Sequence, residues 1–384
     1  MAIGKGAMEG LDLNSNFWKN KRVFITGHTG FKGSWLTIWL SQLGAEIRGY
    51  ALAPATEPAL FDLADVSKKL VSSNIADIRD LDSLKKAIEF AKPDIVFHMA
   101  AQPLVRDSYT IPVETFSINV MGTVNILEAI RTTQVNVKAF INITTDKVYE
   151  NREWIWGYRE SDRLGGHDPY SNSKACSELV TSSYRNSYFH PKELARHELA
   201  IATVRAGNVI GGGDFATDRL FPDIFRSIIA KKKLTLRNPL SIRPWQHVLE
   251  PLRGYIMLAE RLYKRELVGI GNWNFGPNEI DAKSVETIVK MLEKYIGHRQ
   301  TQSPSVLNFP GYTVEAQTQV HEAHTLKLDI TQAKNILGWI PRWNLETAIG
   351  KIVDWTESYL KNENMESVCL KQIQEYSESS EQGY

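Results

Sequence analysis

Tyr170-Ser171-Asn172-Ser173-Lys174 sets a phenol and an amine four residues apart, on one face of a helix. A free tyrosine titrates near ~10 and is a poor base at neutral pH. A lysine ammonium beside it favours the phenolate. The pair can then take a proton from a sugar or alcohol hydroxyl as hydride leaves for a nicotinamide. Alone, Tyr-x-x-x-Lys is common by chance and usually marks a surface helix. A second set, Thr144-Thr145-Asp146-Lys147-Val148-Tyr149, follows the apolar run Val137 to Ile143. In open α/β sheets, ligands bind beyond the carboxyl ends of strands. A threonine hydroxyl there can bond a substrate oxygen. Asp146 can deliver a proton if burial raises its pKa, with Lys147 as a cation beside it. For an isolated Thr-Asp-Lys, a cap or a turn with a surface ion pair is the better reading.

The context of these sets is a glycine turn. Val23 to Ile25 has the length and β-branching of a buried strand, and the run breaks at Gly27. Gly30 and Gly33 follow, and Trp35, Leu36, Trp39, Leu40 and Leu43 then recur at helical spacing. In such a strand–turn–helix the first glycine permits the turn and the second lets a phosphate approach the backbone. The third lets the helix pack on the strand, with free N–H groups facing the ligand. The spacing GxxGxxG is one residue longer than the usual dinucleotide fingerprint. Any tight βα loop is the alternative, but the flanking strand and helix are the context the motif requires.

The elements that position these residues alternate along the chain. Strands are predicted at Glu46 to Leu52, Leu70 to Ile75, Asp94 to Met99, Val137 to Ile143 and Leu199 to Val204. Helices are predicted at Leu81 to Phe90 (capped by Asp80), Val113 to Thr132 and Tyr170 to Tyr188. The alternation argues for an α/β fold, a Rossmann-type doubly wound parallel sheet. From about Ile210 the rhythm changes. Gly211-Gly212-Gly213-Asp214 reads as a loop, and Leu220 to Lys231, Val285 to Tyr295 and Ala348 to Leu360 read as helices. The expected division is a dinucleotide-binding domain at 17–209 and a smaller α/β substrate lobe at 210–360, some of which returns to the first domain. Residues 1–16 read as a leader or an added segment, and both they and 361–384 as flexible ends. Lys231-Lys232-Lys233 suits a solvated helix end. Formal net charge over the 384 residues is +1, which gives no argument for nucleic acid or an anionic membrane. The two cysteines, Cys176 and Cys369, form no disulfide framework. No apolar run approaches bilayer length. The N-terminus carries Glu9 and Asp12 and no continuous apolar stretch, unlike a signal peptide. A soluble cytoplasmic protein without a metal centre is expected.

Taken together, the glycine turn, His98-Met99-Ala100-Ala101-Gln102, Asn119, Thr145 and the Tyr170/Lys174 pair resemble the extended short-chain dehydrogenase/reductases over about Lys21 to Leu360. Within that family, Thr26 to Gly33, Ala101 to Arg106 and Arg243 to Val248 most resemble the nucleotide-sugar 4,6-dehydratases, in particular the branch acting on CDP-glucose. The resemblance implies oxidation at C4 with Tyr170 as base, loss of water across C5 and C6, and return of hydride to C6. The product would be the 4-keto-6-deoxy sugar nucleotide, which feeds deoxysugar synthesis. Thr145 would hold the C4 oxygen, and Asp146 matches the family's acid. The dTDP-glucose enzymes have a glutamate after this aspartate as C5 base. The CDP-glucose branch shares the Lys147 found here, which leaves the C5 base open. A lysine ammonium cannot accept a proton until burial or a nearby cation lowers its pKa.

The same resemblance assigns Gly27, Thr29, Gly30, Phe31, Lys32, Gly33, Asp77, Ile78, Ala100, Ala101, Gln102, Asn119, Tyr170 and Lys174 to the cofactor. Asp77 and Ile78 would meet the adenine. Gln102, Thr145, Asn208, Arg219 and Arg243 are assigned to the substrate, and Arg243 suits its pyrophosphate because a guanidinium binds two oxygens at once. NAD is implied. NADP stays open, because Tyr50-Ala51-Leu52 ends the second strand without a carboxylate, and Arg48 and Lys32 are cations near by. A homodimer or homotetramer is implied, pairing through helices at Val113 to Thr132 and Tyr170 to Tyr188. A 4-epimerase would share the Tyr/Lys pair but needs no acid and base after the threonine. A reductase would consume its cofactor. A dinucleotide-binding regulatory protein would lack the full Thr/Tyr/Lys set.

Overall fold

The strand expected at Val23 to Ile25 runs as β1, Arg22–Thr26, and its side chains alternate between two buried layers. Val23 and Ile25 pack with Trp35, Leu36 and Trp39 on one face; Phe24 packs with Leu84, Ile88 and Ile126 on the other. A strand buried on both faces belongs to a parallel sheet covered by helices. The structure, a computed structural model, describes residue 13 and residues 15–302, 307–315 and 324–380. The expected leader lies almost wholly outside the described residues.

The remaining strands in chain order are β2 Glu46–Ala51, β3 Leu70–Ile75, β4 Ile95–His98, β5 Ala139–Ile143 and β6 Ala200–Ala206. They continue as β7 Asn208–Ile210, β8 Leu234–Leu236, β9 Ile242–His247, β10 Gly271–Phe275, β11 Ala282–Ser284 and β12 Tyr312–Val314. The large sheet has seven strands in the order β10-β6-β5-β4-β1-β2-β3, with every neighbouring pair parallel. The chain starts at β1 in the middle, winds out to β3 and returns beside β1 as β4. That reversal opens a crevice at the carboxyl ends of β1 and β4. The expected doubly wound fold is therefore present.

β10 and the helix Leu249–Tyr263 come from the second half of the chain but belong to the large sheet, where Leu252, Tyr255, Ile256 and Leu258 are fully buried. The small lobe is the three-stranded sheet β11-β9-β7, the β8–β12 pair and the helices Leu220–Ala230 and Val285–Gln302. The expectation of a frayed end from Lys361 onward does not hold. Met365–Glu378 is a helix whose Met365, Cys369, Ile373 and Tyr376 are buried. Each such burial contributes on the order of 2 kcal/mol. Asn364 caps the helix by accepting from the Ser367 N–H at 2.8 Å, and the Tyr376 hydroxyl donates to Glu250 Oε2 at 2.8 Å. The helix predicted at Val113 to Thr132 is instead divided into Pro112–Phe116, a π-helical turn at Ser117–Met121, and Gly122–Thr132. No helix among the described residues is long and apolar enough to cross a membrane.

Candidate active site

The helix Pro169–Ser187 starts where it does for a local reason. Asp168 caps it by accepting from the Ser171 N–H at 2.9 Å, and Pro169 occupies the first helical position. This aims Tyr170 and Lys174 at the carboxyl end of β5. Lys174 Nζ donates to the Ile143 carbonyl at 2.8 Å. Just beyond, Thr145 opens a 3-10 turn, Asp146–Val148, by accepting from the Lys147 N–H at 3.3 Å. Its hydroxyl also donates to Asp146 Oδ1 at 3.0 Å, while the buried Asp146 Oδ2 has no hydrogen-bond partner among the described residues. Burial raises the Asp146 pKa against the pull of Lys147, Arg243 and Lys32, as a proton donor requires.

Tyr170 behaves differently from the sequence expectation. Burial pushes it up to about 12, with the Thr145 hydroxyl and Arg219 pulling the other way. Lys174 is itself drawn down to about 7 by burial and by Lys32, so it is not the fixed ammonium that the spacing alone suggests. Thr145, Asp146, Lys147 and Tyr170 nevertheless line one cavity of about 330 Å³, together with Phe31, Lys32, Asn208, Arg219 and Arg243. Lys32, one of the two cations that could meet a 2′-phosphate, opens into this chamber. The other candidate, Arg48, is engaged with Glu46 at 3.3 Å.

Several of the residues expected at the cofactor stand in the turn after β1 and at the start of the helix that follows it. Gly27 has φ +78°, a conformation that favours glycine, and a Cβ there would stand 2.7 Å from the Ala100 nitrogen. A Cβ on Gly33 would stand 2.2 Å from the Gly27 carbonyl oxygen, so this glycine sets the helix–strand contact. Gly30 is different: a Cβ would meet only the Gly27 oxygen, at 3.4 Å. Protein packing does not require glycine there, whereas a phosphate on the backbone would. Gly30 is the N-cap of Phe31–Gln42 and provides no side-chain cap, which leaves the first N–H groups of that helix for an anion. Thr29 donates to the Leu52 carbonyl at 2.8 Å and fastens the turn to β2. These features fit a dinucleotide diphosphate. Gly30→Ala is expected to leave the melting temperature within about 1 °C while weakening dinucleotide binding by ~10-fold or more, roughly 1.4 kcal/mol. Gly33→Ala should cost about 1–3 kcal/mol of stability through overpacking. Thermal melts and dinucleotide titrations of the two variants check this.

Asp77 forms a fork with Arg79, whose side chain holds the carboxyl below its ordinary range. Asn125 Nδ2 bonds the carbonyls of Ile78 and Arg79 at 3.0 and 2.9 Å, shaping the end of the crevice. Ala100 and Ala101 follow β4. Gln102 is turned into its own loop, donating to the Leu104 carbonyl at 3.0 Å and accepting from the Leu104 N–H at 2.6 Å, which occupies the amide expected on substrate. Asn119 sits in the π-helical turn. Its side chain accepts from the Gln102 N–H at 2.8 Å and donates to Ser173 Oγ at 2.9 Å, bracing the Tyr170 helix against the β4 loop. Such turns recur at functional sites. Arg219 pairs with Asp214 at 3.1 Å, and Arg243 Nη1 donates to the Ile242 carbonyl at 2.9 Å.

Sequence reasoning missed the polar support beneath the site. Thr144 donates to Glu178 Oε1 at 2.6 Å, and Arg205 engages both oxygens of the same carboxylate while donating to the Tyr149 hydroxyl at 2.7 Å. It also missed Asp218, which joins Arg106 and Arg237 at the cavity wall at 3.7 and 2.7 Å. Glu178 stands four residues after Lys174, the one sequence signal that could have exposed the network.

A family model described as GDP-mannose 4,6 dehydratase matches residues 24–352. A CDP-glucose 4,6-dehydratase of Salmonella typhimurium is 51% identical over 365 residues, covering 95% of this chain and 98% of that protein. Among solved structures, a dTDP-glucose 4,6-dehydratase of Bacillus anthracis in complex with NAD superposes with a TM-score of 0.70 at 20% identity, over 89% of this chain and 98% of that one. A UDP-glucose 4-epimerase of Stenotrophomonas maltophila with bound NAD gives 0.73 at 19%, over 89% and 99%. At such identities these two share the fold.

Proposed function

The chain belongs to the GDP-mannose 4,6-dehydratase family, and from that premise we propose that it converts CDP-D-glucose to CDP-4-keto-6-deoxy-D-glucose and water. The observation that carries this reading is one cavity lined by Thr145, Asp146, Lys147 and Tyr170, in a chain 51% identical to a CDP-glucose 4,6-dehydratase. Bound on the glycine turn, NAD supplies a hydride acceptor that gives the hydride back within the turnover. Thr145 bonds the C4 oxygen, and Tyr170, whose phenolate the Thr145 hydroxyl and Arg219 favour against burial, takes its proton. The 4-ketone acidifies C5–H, and Asp146 protonates the C6 hydroxyl so that it leaves as water. A 4-epimerase needs no proton donor there, whereas Asp146 is buried with its pKa raised. Arg48 is occupied by Glu46 and Lys32 opens into the reaction chamber, which favours NAD over a 2′-phosphorylated cofactor. Incubation with CDP-, UDP-, dTDP- and GDP-linked hexoses plus NAD, with products weighed by mass spectrometry, should give loss of water with CDP-glucose above the others. Preference for a different nucleotide would overturn the substrate assignment.

Cytoplasmic location goes with a nucleotide-sugar substrate made in that compartment. A homodimer or homotetramer is proposed through the helices Gly122–Thr132 and Pro169–Ser187. Leu127 and Ile130 are buried inside the subunit, while Met121, Leu179 and Tyr188 are exposed near or on those helices. Light scattering at micromolar concentration should give at least twice the chain mass; a monomer would refute this.

A further inference from the structure

The groups of the proposed reaction are divided between two elements. Tyr170 and Lys174 stand on the helix Pro169–Ser187, and Asp146 stands in the short turn that Thr145 opens. That turn does little to fix its own place. Its internal bonds are long: the Lys147 N–H reaches the Thr145 hydroxyl at 3.3 Å, and the Val148 N–H reaches the Thr145 carbonyl at 3.4 Å. Backbone bonds tie its two flanks to β6 and to Gly165, at 2.8 Å each, but neither bond reaches the helix that carries Tyr170.

We infer, resting on the dehydratase reading in which Tyr170 and Asp146 act on one hexose, that the buried Glu178–Arg205 pair is a positioning device that holds the Asp146 turn against the Tyr170 helix. The pair grips a residue on each flank of the turn. On one flank, the Thr144 hydroxyl donates to Glu178 Oε1 at 2.6 Å. On the other, the Tyr149 hydroxyl accepts from Arg205 Nη1 at 2.7 Å, and the guanidinium lies 4.7 Å from the ring centre. Arg205 Nε donates to Glu178 Oε1 at 2.8 Å and its Nη2 to Oε2, which closes the link. Glu178 belongs to the Tyr170 helix and Arg205 to β6, and neither side chain is more than 2% exposed. Tyr149 is anchored further out. Its hydroxyl donates to Asn274 Oδ1 at 2.8 Å, on β10, and its ring stacks on Tyr158 at 5.1 Å.

Stability alone does not call for charges here. Taking a carboxylate and a guanidinium out of water is unfavourable, and apolar residues of similar volume in place of a buried ion pair are often neutral or stabilising. Nor do the neighbouring hydroxyls need the pair. Thr144 also reaches the Val204 carbonyl at 3.1 Å, Tyr149 has Asn274, and Thr203, 3.4 Å from Glu178 Oε2, reaches Asn272 Oδ1 at 2.9 Å. What apolar residues cannot supply is direction. A carboxylate and a planar guanidinium fix the spacing of helix, strand and turn through oriented bonds. Spacing matters because a shift of about 1 Å at a reacting group can lower a rate by ~100-fold.

The test combines Glu178→Leu with Arg205→Met in the full chain, assayed with NAD and the sugar nucleotide that wild type dehydrates fastest. The double variant is expected to keep its melting temperature within about 3 °C. Its kcat should fall by roughly 30-fold or more while KM changes by less than about threefold. In ligand-free protein, amide hydrogen exchange across residues 145–149 should quicken by roughly tenfold or more, with β1 and the helix after it unchanged. Wild-type kcat and wild-type exchange in the folded double variant would overturn the inference and leave the pair as core filling. Where the double variant does not fold, Tyr149→Phe decides. Tyr149 is not among the residues that line the cavity, and phenylalanine keeps the stack on Tyr158. Its kcat should fall by about tenfold with the melting temperature nearly unchanged, and wild-type kcat would overturn the inference. Thr144→Val should lower kcat in the same way, and Thr144→Ser, which keeps the donor, should recover it to within about threefold; equal losses in both would assign the effect to the methyl group and refute the inference. If wild type dehydrates no sugar nucleotide, the dehydratase reading fails, while the exchange measurement still decides whether the pair holds the turn.

Discussion

Tyr170→Phe is expected to lower turnover by roughly 100- to 10,000-fold, the range general-base catalysis supplies. The substitution removes one oxygen and keeps the ring. Tyr170 sits on a helix anchored by Asp168 and braced through Ser173 to Asn119, and none of those bonds involves its hydroxyl. The fold and the glycine turn should therefore be intact, and dinucleotide affinity should change by less than a factor of about three, under 1 kcal/mol. What is lost is the acceptor for the C4 hydroxyl proton. Without it no reduced nicotinamide absorbance should develop in a single turnover. A variant that still oxidises C4 at the wild-type rate would remove Tyr170 from the chemistry. A variant that fails to bind dinucleotide would show that the hydroxyl is structural.

The parts of the site that are contiguous in sequence were legible, because their physics is local. A β-branched run ending in glycine and followed by helical periodicity can form few things other than a strand, a tight turn and a helix. Asp80 was readable as a cap because capping needs only three residues of context, and its side chain does accept from the Ser83 N–H at 3.0 Å. Asn119 was named, but its bracing role was not, since its side-chain bonds run to Gln102 and Ser173, far apart in sequence. Likewise the direction of Lys32 depends on how the small lobe brings Arg219 and Asp214 over the glycine turn, which no local pattern encodes. The pKa of Tyr170 was misjudged for a related reason. Spacing predicts a neighbouring amine, whereas the burial that outweighs it is a property of the whole chamber. The C-terminal helix was overlooked because its composition is polar. Its apolar stripe, Met365, Cys369, Ile373 and Tyr376, nevertheless recurs at helical spacing.

Asp146→Asn should separate elimination from oxidation. Asparagine keeps the size of the side chain and can still accept from the Thr145 hydroxyl, as Asp146 Oδ1 does at 3.0 Å. It has no acidic proton to transfer. In the native chain, burial outweighs Lys147, Thr145, Arg243 and Lys32 and raises the carboxyl, so the protonated form that can donate is favoured more than in an exposed aspartate. The sign follows directly: as pH rises through that raised pKa, the donor is lost and water loss slows, while proton removal at C4 is not impaired. The variant lacks this titration. It should still oxidise C4 and build up reduced nicotinamide absorbance, then stall, with product formation down by roughly 100-fold or more. Tyr170→Phe, by contrast, should show neither signal, and general damage would depress both together. Because the change also alters a buried carboxyl facing several cations, its stability should be compared by thermal melts at neutral pH. Product formation at the wild-type rate in a folded Asp146→Asn protein would show that the C6 oxygen takes its proton elsewhere, and would make Lys147 or a solvent molecule beside it the donor to pursue.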